Sequence, residues 1–89
     1  MKADTKNIST RLRRVRGQID GIIKMVEDDR YCIDISNQLL AASKALDAIN
    51  NEVLTSHLRS CVKASLENKV DSDEKIEEFI SIIRKIQKI

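Results

Sequence analysis

The sequence predicts an all-α fold, on three observations. Proline is absent and only Gly17 and Gly21 stand among 89 residues, so little interrupts a helix. Aromatic residues are limited to Tyr31 and Phe79, against the aromatic-rich, turn-rich composition of sheets. Apolar residues recur every three or four positions along three separate stretches, the period of an amphipathic helix.

The first stretch runs from about Asn7 to Asp28. Ile8, Leu12, Val15, Ile19, Ile22, Ile23 and Val26 fall within an arc of about 100°, with the alternating four-three spacing that suits near-parallel or antiparallel helix neighbours. Gly17 and Gly21 lie on another face, where they could admit a close helix contact. The polar run Glu27-Asp28-Asp29-Arg30 is a connection. A second pattern passes through Ile35, Leu39, Ala42, Leu46, Ile49 and Val53 and on through Leu54, Leu58, Val62 and Leu66. Nothing breaks it between Cys32 and Leu66, so it predicts one helix about 50 Å long. The pattern lapses from Asn68 to Asp73. Asp71-x-x-Glu74 resembles a capping box opening a third helix, whose inner face is expected to carry Ile76, Phe79, Ile80, Ile83 and Ile86.

A helix of 50 Å cannot be covered by two shorter ones from the same chain. Two such chains packed antiparallel would close a four-helix bundle. The expectation is a single helical domain over 1–89 that is not a monomer.

The N-terminus has no apolar run and no stretch approaches about 18 apolar residues, so neither a signal peptide nor a membrane span is expected. A cytoplasmic location follows, where two cysteines stay reduced and serve as ligands or sensors more readily than as a disulfide. The net charge is only +2, but residues 1–16 hold six bases (Lys2, Lys6, Arg11, Arg13, Arg14 and Arg16) against Asp4 alone. A basic head on a nearly neutral body points to a polyanion; the competing reading is a solvated helix face.

Cys32, His57 and Cys61 carry the chemistry. His57 and Cys61 are four apart and share one helical face within reach of one ion. Cys32 is about 37 Å from His57 along a continuous helix, yet its direction falls only about 20° short of seven full turns, so all three point the same way. An antiparallel partner helix would bring its own Cys32 beside His57 and Cys61, giving two equivalent sites per dimer. Two thiolates and an imidazole form a three-coordinate set that suits soft Cu(I), whereas Zn(II) normally takes four ligands. The competing reading makes the cysteines small buried hydrophobes and His57 a surface residue. No Gly-rich loop offers an oxyanion hole or phosphate cradle, and no paired-carboxylate acid/base site is visible, which speaks against an enzyme.

The stretch Arg11-Leu12-Arg13-Arg14-Val15-Arg16-Gly17-Gln18-Ile19-Asp20-Gly21-Ile22 resembles the CsoR/RcnR family of metal-sensing transcriptional repressors. So do Met25-x-Glu27-Asp28-Asp29-x-Tyr31-Cys32-x-Asp34-Ile35 and Gln38, and the resemblance spans nearly the whole chain. The Cys…His-x₃-Cys spacing looks like that of the copper-sensing branch. The nickel/cobalt branch has histidine where Cys61 stands and another near the N-terminus, where this chain has Ala3. The persulfide-sensing branch lacks the histidine, and the formaldehyde-sensing branch lacks the second cysteine.

The resemblance implies antiparallel dimers of helical hairpins that pair into tetramers, an operator bound in the apo form, and release by Cu(I). It implies that Cys32 of one protomer and His57 and Cys61 of the other hold the ion. Tyr31 and Glu77 would stand just outside the ligands and couple them to the third helix, with Glu77 accepting from His57. Lys6, Arg11, Arg13, Arg14, Arg16, Gln18 and Lys44 are the candidate contacts to double-stranded DNA. The chain departs from its relatives at Asp47, on a stretch where they often carry a basic residue. Two other functions fit the same residues: a thiol or persulfide sensor that needs Cys32 and Cys61 but not His57, and a copper buffer that binds no DNA.

Overall fold

The computed structural model describes the backbone of residues 1–68 and 72–87, and the side chains of 1–64, 74 and 76–85. It contains three helices in chain order: α1 (Thr5–Glu27), α2 (Cys32–Asn68) and α3 (Ser72–Gln87), with no strand among the described residues. The all-α expectation holds. α1 starts two residues before the predicted Asn7, because periodicity reports only where the apolar stripe begins. Asp71 of the expected capping box lies outside the described residues, as does the side chain of Ile86.

α1 ends in a backbone motif that the sequence did not announce. The Arg30 amide bonds the Met25 carbonyl at 2.9 Å and the Asp29 amide bonds the Val26 carbonyl at 3.1 Å. These are the paired bonds of a Schellman cap, and they require a left-handed residue between them. Asp29 fills that position with a φ of 53°. Aspartate tolerates this region better than most residues, through local hydrogen bonding of its short side chain, but less well than glycine. Tyr31 then precedes α2 as its N-cap, its carbonyl accepting the Ile35 amide at 3.2 Å. Asp34 in the first turn suits the positive end of the helix dipole.

The chain divides into two compact units, Thr5–Ile49 and Met1–Asp4 with Asn50–Ile89. In the first, α1 packs on the opening half of α2. Its core is Ile8, Val15 and Ile22, seven residues apart on α1, with Ala42 and Ile49, seven apart on α2. Burying an isoleucine contributes about 1.5–3 kcal/mol, so this short ladder holds the hairpin. Leu12, Ile19 and Ile23, on the other edge of the same α1 stripe, remain exposed, as do Leu39 and Leu46 on α2. Gly17 and Gly21 make no close helix contact among the described residues, where a Cβ at either would meet nothing within 4 Å.

In the second unit, which holds α3 and the closing half of α2, Ala3 and Ile82 are the buried ones among the described residues. The expected inner face of α3 is corrected by this packing. Ile82 is buried and Phe79 half-buried, whereas Ile76, Ile80 and Ile83 are exposed. α3 turns one edge of its apolar arc inward and leaves the other uncovered.

The cap yields a test by thermal unfolding. Asp29→Gly should raise stability by up to about 1 kcal/mol, because glycine adopts a positive φ without steric cost. Asp29→Val should lower it by about 1–2 kcal/mol. Equal effects of the two substitutions would show that Asp29 does not hold this conformation in solution.

Candidate metal centre

Two turns of α2 and one of α3 build the one group of potential ligands among the described residues. His57 and Cys61, one helical turn apart, place Nε2 and Sγ 3.4 Å from each other. From α3, Glu78 brings Oε1 to 2.7 Å from His57 Nε2 and 3.8 Å from Cys61 Sγ. These three donor atoms lie within 4.8 Å of one another, and all three residues are half-buried. A carboxylate only accepts, so Nε2–H donates to Glu78, and the same nitrogen faces the Cys61 sulfur.

The family resemblance assigns this carboxylate to Glu77. In the structure Glu77 is exposed and Glu78 makes the contact. The cause is the register of α3. With Ile82 inward, the residue one turn earlier on the same edge is Glu78, while Glu77 lies about 100° further round. Taking Ile76, Ile80 and Ile83 as the inner face hid that edge. The signal available in the sequence was the pair Glu78 and Ile82, four apart.

Cys32 is the first residue of α2 and is exposed; Tyr31, just before it, is exposed as well. Neither belongs to the group formed by His57, Cys61 and Glu78. Both cysteines are free thiols. The structure therefore brings together two of the three ligands expected from the sequence and adds a carboxylate.

Basic side chains line two recesses. Arg11, Arg14 and Gln18 of α1 line one shallow recess with Val15, Ala45 and Ile49. Lys6, Arg13, Arg16 and Lys44 are exposed and lie outside that recess. A second recess, in the other compact unit, gathers Lys2, Arg59 and Lys63 with the hydroxyl residues Ser56 and Ser60. Sequence reasoning missed Arg59 and Lys63 because it counted bases by segment. Their four-residue spacing, with Ser56 and Ser60 beside them, marks one helical face.

Residues 4–85 match the metal-sensitive transcriptional repressor family. The chain belongs to that family, whose members are transcriptional repressors and not enzymes. It is 40% identical to the copper-sensing transcriptional repressor RicR of Mycobacterium tuberculosis, over 90% of this chain and 84% of that one. It is 36% identical to the copper-sensing transcriptional repressor CsoR of Bacillus subtilis, over 91% of this chain and 79% of that one. Among solved structures it resembles the copper-sensing repressor CsoR with Cu(I) from Geobacillus thermodenitrificans. That match has a TM-score of 0.77 and 35% identity, and covers 92% of this chain and 84% of the other. No described helix is long and apolar enough to cross a membrane.

The single histidine makes the carboxylate assignment directly measurable. Nitrogen NMR of the imidazole should report the Nε2–H tautomer in the parent chain and a changed tautomer balance in Glu78→Ala. Glu77→Ala should leave the spectrum as it was. The reverse pattern would return the contact to Glu77.

Proposed function

We propose that this chain is a Cu(I)-responsive repressor that binds operator DNA without the ion and leaves it when Cu(I) binds. The observation that carries the reading is the placement of His57 and Cys61 side by side on α2, with the imidazole ring 3.4 Å from Sγ. One nitrogen and one sulfur are two-thirds of a soft, low-coordinate set. The exposed thiol of Cys32 from a second chain completes it as two sulfurs and a nitrogen. This donor chemistry fits Cu(I), which soft thiolates select. Similarity to copper-sensing repressors over some nine-tenths of the chain supports the same ion.

A bridging site needs an assembly, and the uncovered apolar edge supplies the reason for one. Ile19, Ile22, Ile23, Val26, Leu39 and Leu46 line an open apolar groove between α1 and the start of α2. A second copy laid antiparallel would fill it and close a four-helix bundle. That arrangement brings the partner's Cys32, with Tyr31 beside it, to His57 and Cys61. The exposed Ile76, Ile80 and Ile83 of α3 offer a further face on which dimers join into a tetramer.

For DNA, the guanidinium groups of Arg11 and Arg14 with Gln18 form the best-defined polar surface on α1. Arg13, Arg16, Lys6 and Lys44 extend the positive field around it. Contacts of this kind go mostly to phosphates and set register more than sequence preference. Cu(I) binding would link chains through α2, and only a difference in contacts between the two forms can lower DNA affinity. A cytoplasmic location accords with this role. The alternative, a thiol or persulfide sensor using Cys32 and Cys61, is disfavoured by the placement of His57 against the Cys61 sulfur.

Fluorescence anisotropy on promoter DNA from upstream of copper-resistance genes tests the proposal under reducing conditions. The chain should bind without added metal and dissociate as Cu(I) approaches one per chain, with affinity falling at least about 5-fold, as for ordinary allosteric coupling. Binding that ignores Cu(I), or tightens with it, would sink the copper reading. The bridge has its own test in mixed dimers of Cys32→Ala and Cys61→Ala chains. Such a heterodimer should keep one tight Cu(I) site, since one of its two sites draws on neither substitution. A heterodimer without tight Cu(I) binding would exclude a shared site.

A further inference from the structure

The proposed Cu(I) set takes His57 and Cys61 as ligands and leaves Glu78 outside them, as the acceptor of the His57 ring N–H. Yet Glu78 Oε1 lies 2.7 Å from His57 Nε2 and reaches the sulfur of Cys61, at 3.8 Å, as well. All three residues belong to one compact unit of one chain. Their donors are a nitrogen, a sulfur and a hard anionic oxygen, a combination that suits a borderline divalent ion better than a soft monovalent one.

The geometry is close to what such an ion needs. For bonds of about 2.3 Å to sulfur and about 2.1 Å to nitrogen and oxygen at tetrahedral angles, donor separations are about 3.6 Å for S–N and S–O and about 3.4 Å for N–O. The observed separations are 3.4, 3.8 and 2.7 Å respectively. Two edges already lie within a few tenths of an ångström. The third is short because a hydrogen bond now spans it, and it must open by about 0.7 Å for an ion to replace that proton.

We infer that His57, Cys61 and Glu78 form, within a single chain, a three-donor site for a Zn(II)-like divalent cation that requires neither Cys32 nor a second chain. The site shares two residues with the proposed Cu(I) site but differs in the third donor, and it does not depend on the copper reading. A water or other small ligand takes the fourth position. Since Glu78 stands on α3 and the other two on α2, a divalent ion ties these helices together inside the unit. Cu(I), held by His57 and Cys61 with a partner's sulfur, reaches α3 only through the hydrogen bond between His57 and Glu78. The two kinds of ion therefore engage α3 differently, one by a direct bond to Glu78 and the other through its hydrogen bond to His57.

Co(II) serves as the optical probe for Zn(II), read anaerobically by its d–d bands and its thiolate-to-metal charge-transfer band. Cu(I) binding is read in parallel by competition with a chelator. The parent and Cys32→Ala chains should each bind one Co(II) per chain with tetrahedral d–d intensity and a one-thiolate charge-transfer band. Glu78→Ala and Glu78→Gln should weaken Co(II) at least about ten-fold, the minimum expected when a direct ligand is removed. Both should keep tight Cu(I) binding. Glu77→Ala should match the parent for both ions, and circular dichroism should show unchanged helix content throughout. Parent-like Co(II) affinity in both Glu78 variants, or loss of Co(II) binding in Cys32→Ala, would overturn the inference. Loss of Cu(I) in Cys32→Ala with Co(II) retained would support both sites. Retention of tight Cu(I) there would refute the bridging copper site alone.

Discussion

Each helix of this chain carries an apolar stripe wider than its own chain can cover, and the site follows from which edge is covered. On α1 the inward edge is Ile8, Val15 and Ile22, while Leu12, Ile19 and Ile23 face out. On α3 the inward edge runs through Phe79 and Ile82, while Ile76, Ile80 and Ile83 face out. Apolar burial, with no directional preference of its own, thereby sets the rotation of each helix. That rotation decides which polar side chain is carried inward with it. On α3 it is Glu78, and the chemistry of the candidate metal centre is a by-product of where Ile82 packs.

The fold was legible because helical period is a property of the chain itself. Three stripes, no proline and a polar run at Glu27–Arg30 are enough to place three helices and their lengths to within a few residues. His57 and Cys61 were legible for the same reason, since a spacing of four puts two side chains on one face. The rotation of α3 was not. Its apolar residues span about 160°, from Ile82 round to Ile80, and a stripe that broad does not say which side meets α2. Glu77 and Glu78 stand on opposite sides of that ambiguity. The left-handed turn at Asp29 was hidden for a different reason: glycine usually marks such a cap, and the chain uses an aspartate there.

The positive charge shows the same limit. Counting by segment finds the basic head, because six bases crowd into sixteen residues. It overlooks Arg59 and Lys63, which are diluted among apolar neighbours along α2 yet converge with Lys2 on one recess. A net charge of +2 leaves little long-range field, so attraction to a polyanion must come from such local concentrations. The belt of Arg11, Arg14 and Gln18 and the group of Lys2, Arg59 and Lys63 are two such concentrations among the described residues.

A sensor built on two fixed ligands can discriminate among ions through the third. His57 and Cys61 pair a borderline nitrogen with a soft sulfur, a combination that most late transition ions accept, and raw affinity alone follows the general order of the metals rather than the needs of the protein. Adding sulfur from a second chain makes the set soft and couples it to the assembly. Adding the Glu78 oxygen makes it harder and couples it to α3 within the same chain. An effector shifts a conformational equilibrium only by the difference in its free energy between the two forms. An ion that uses Cys32 feels the relation between chains and can report on it. An ion satisfied by His57, Cys61 and Glu78 is indifferent to that relation, however tightly it binds, so binding and signalling need not select the same metal.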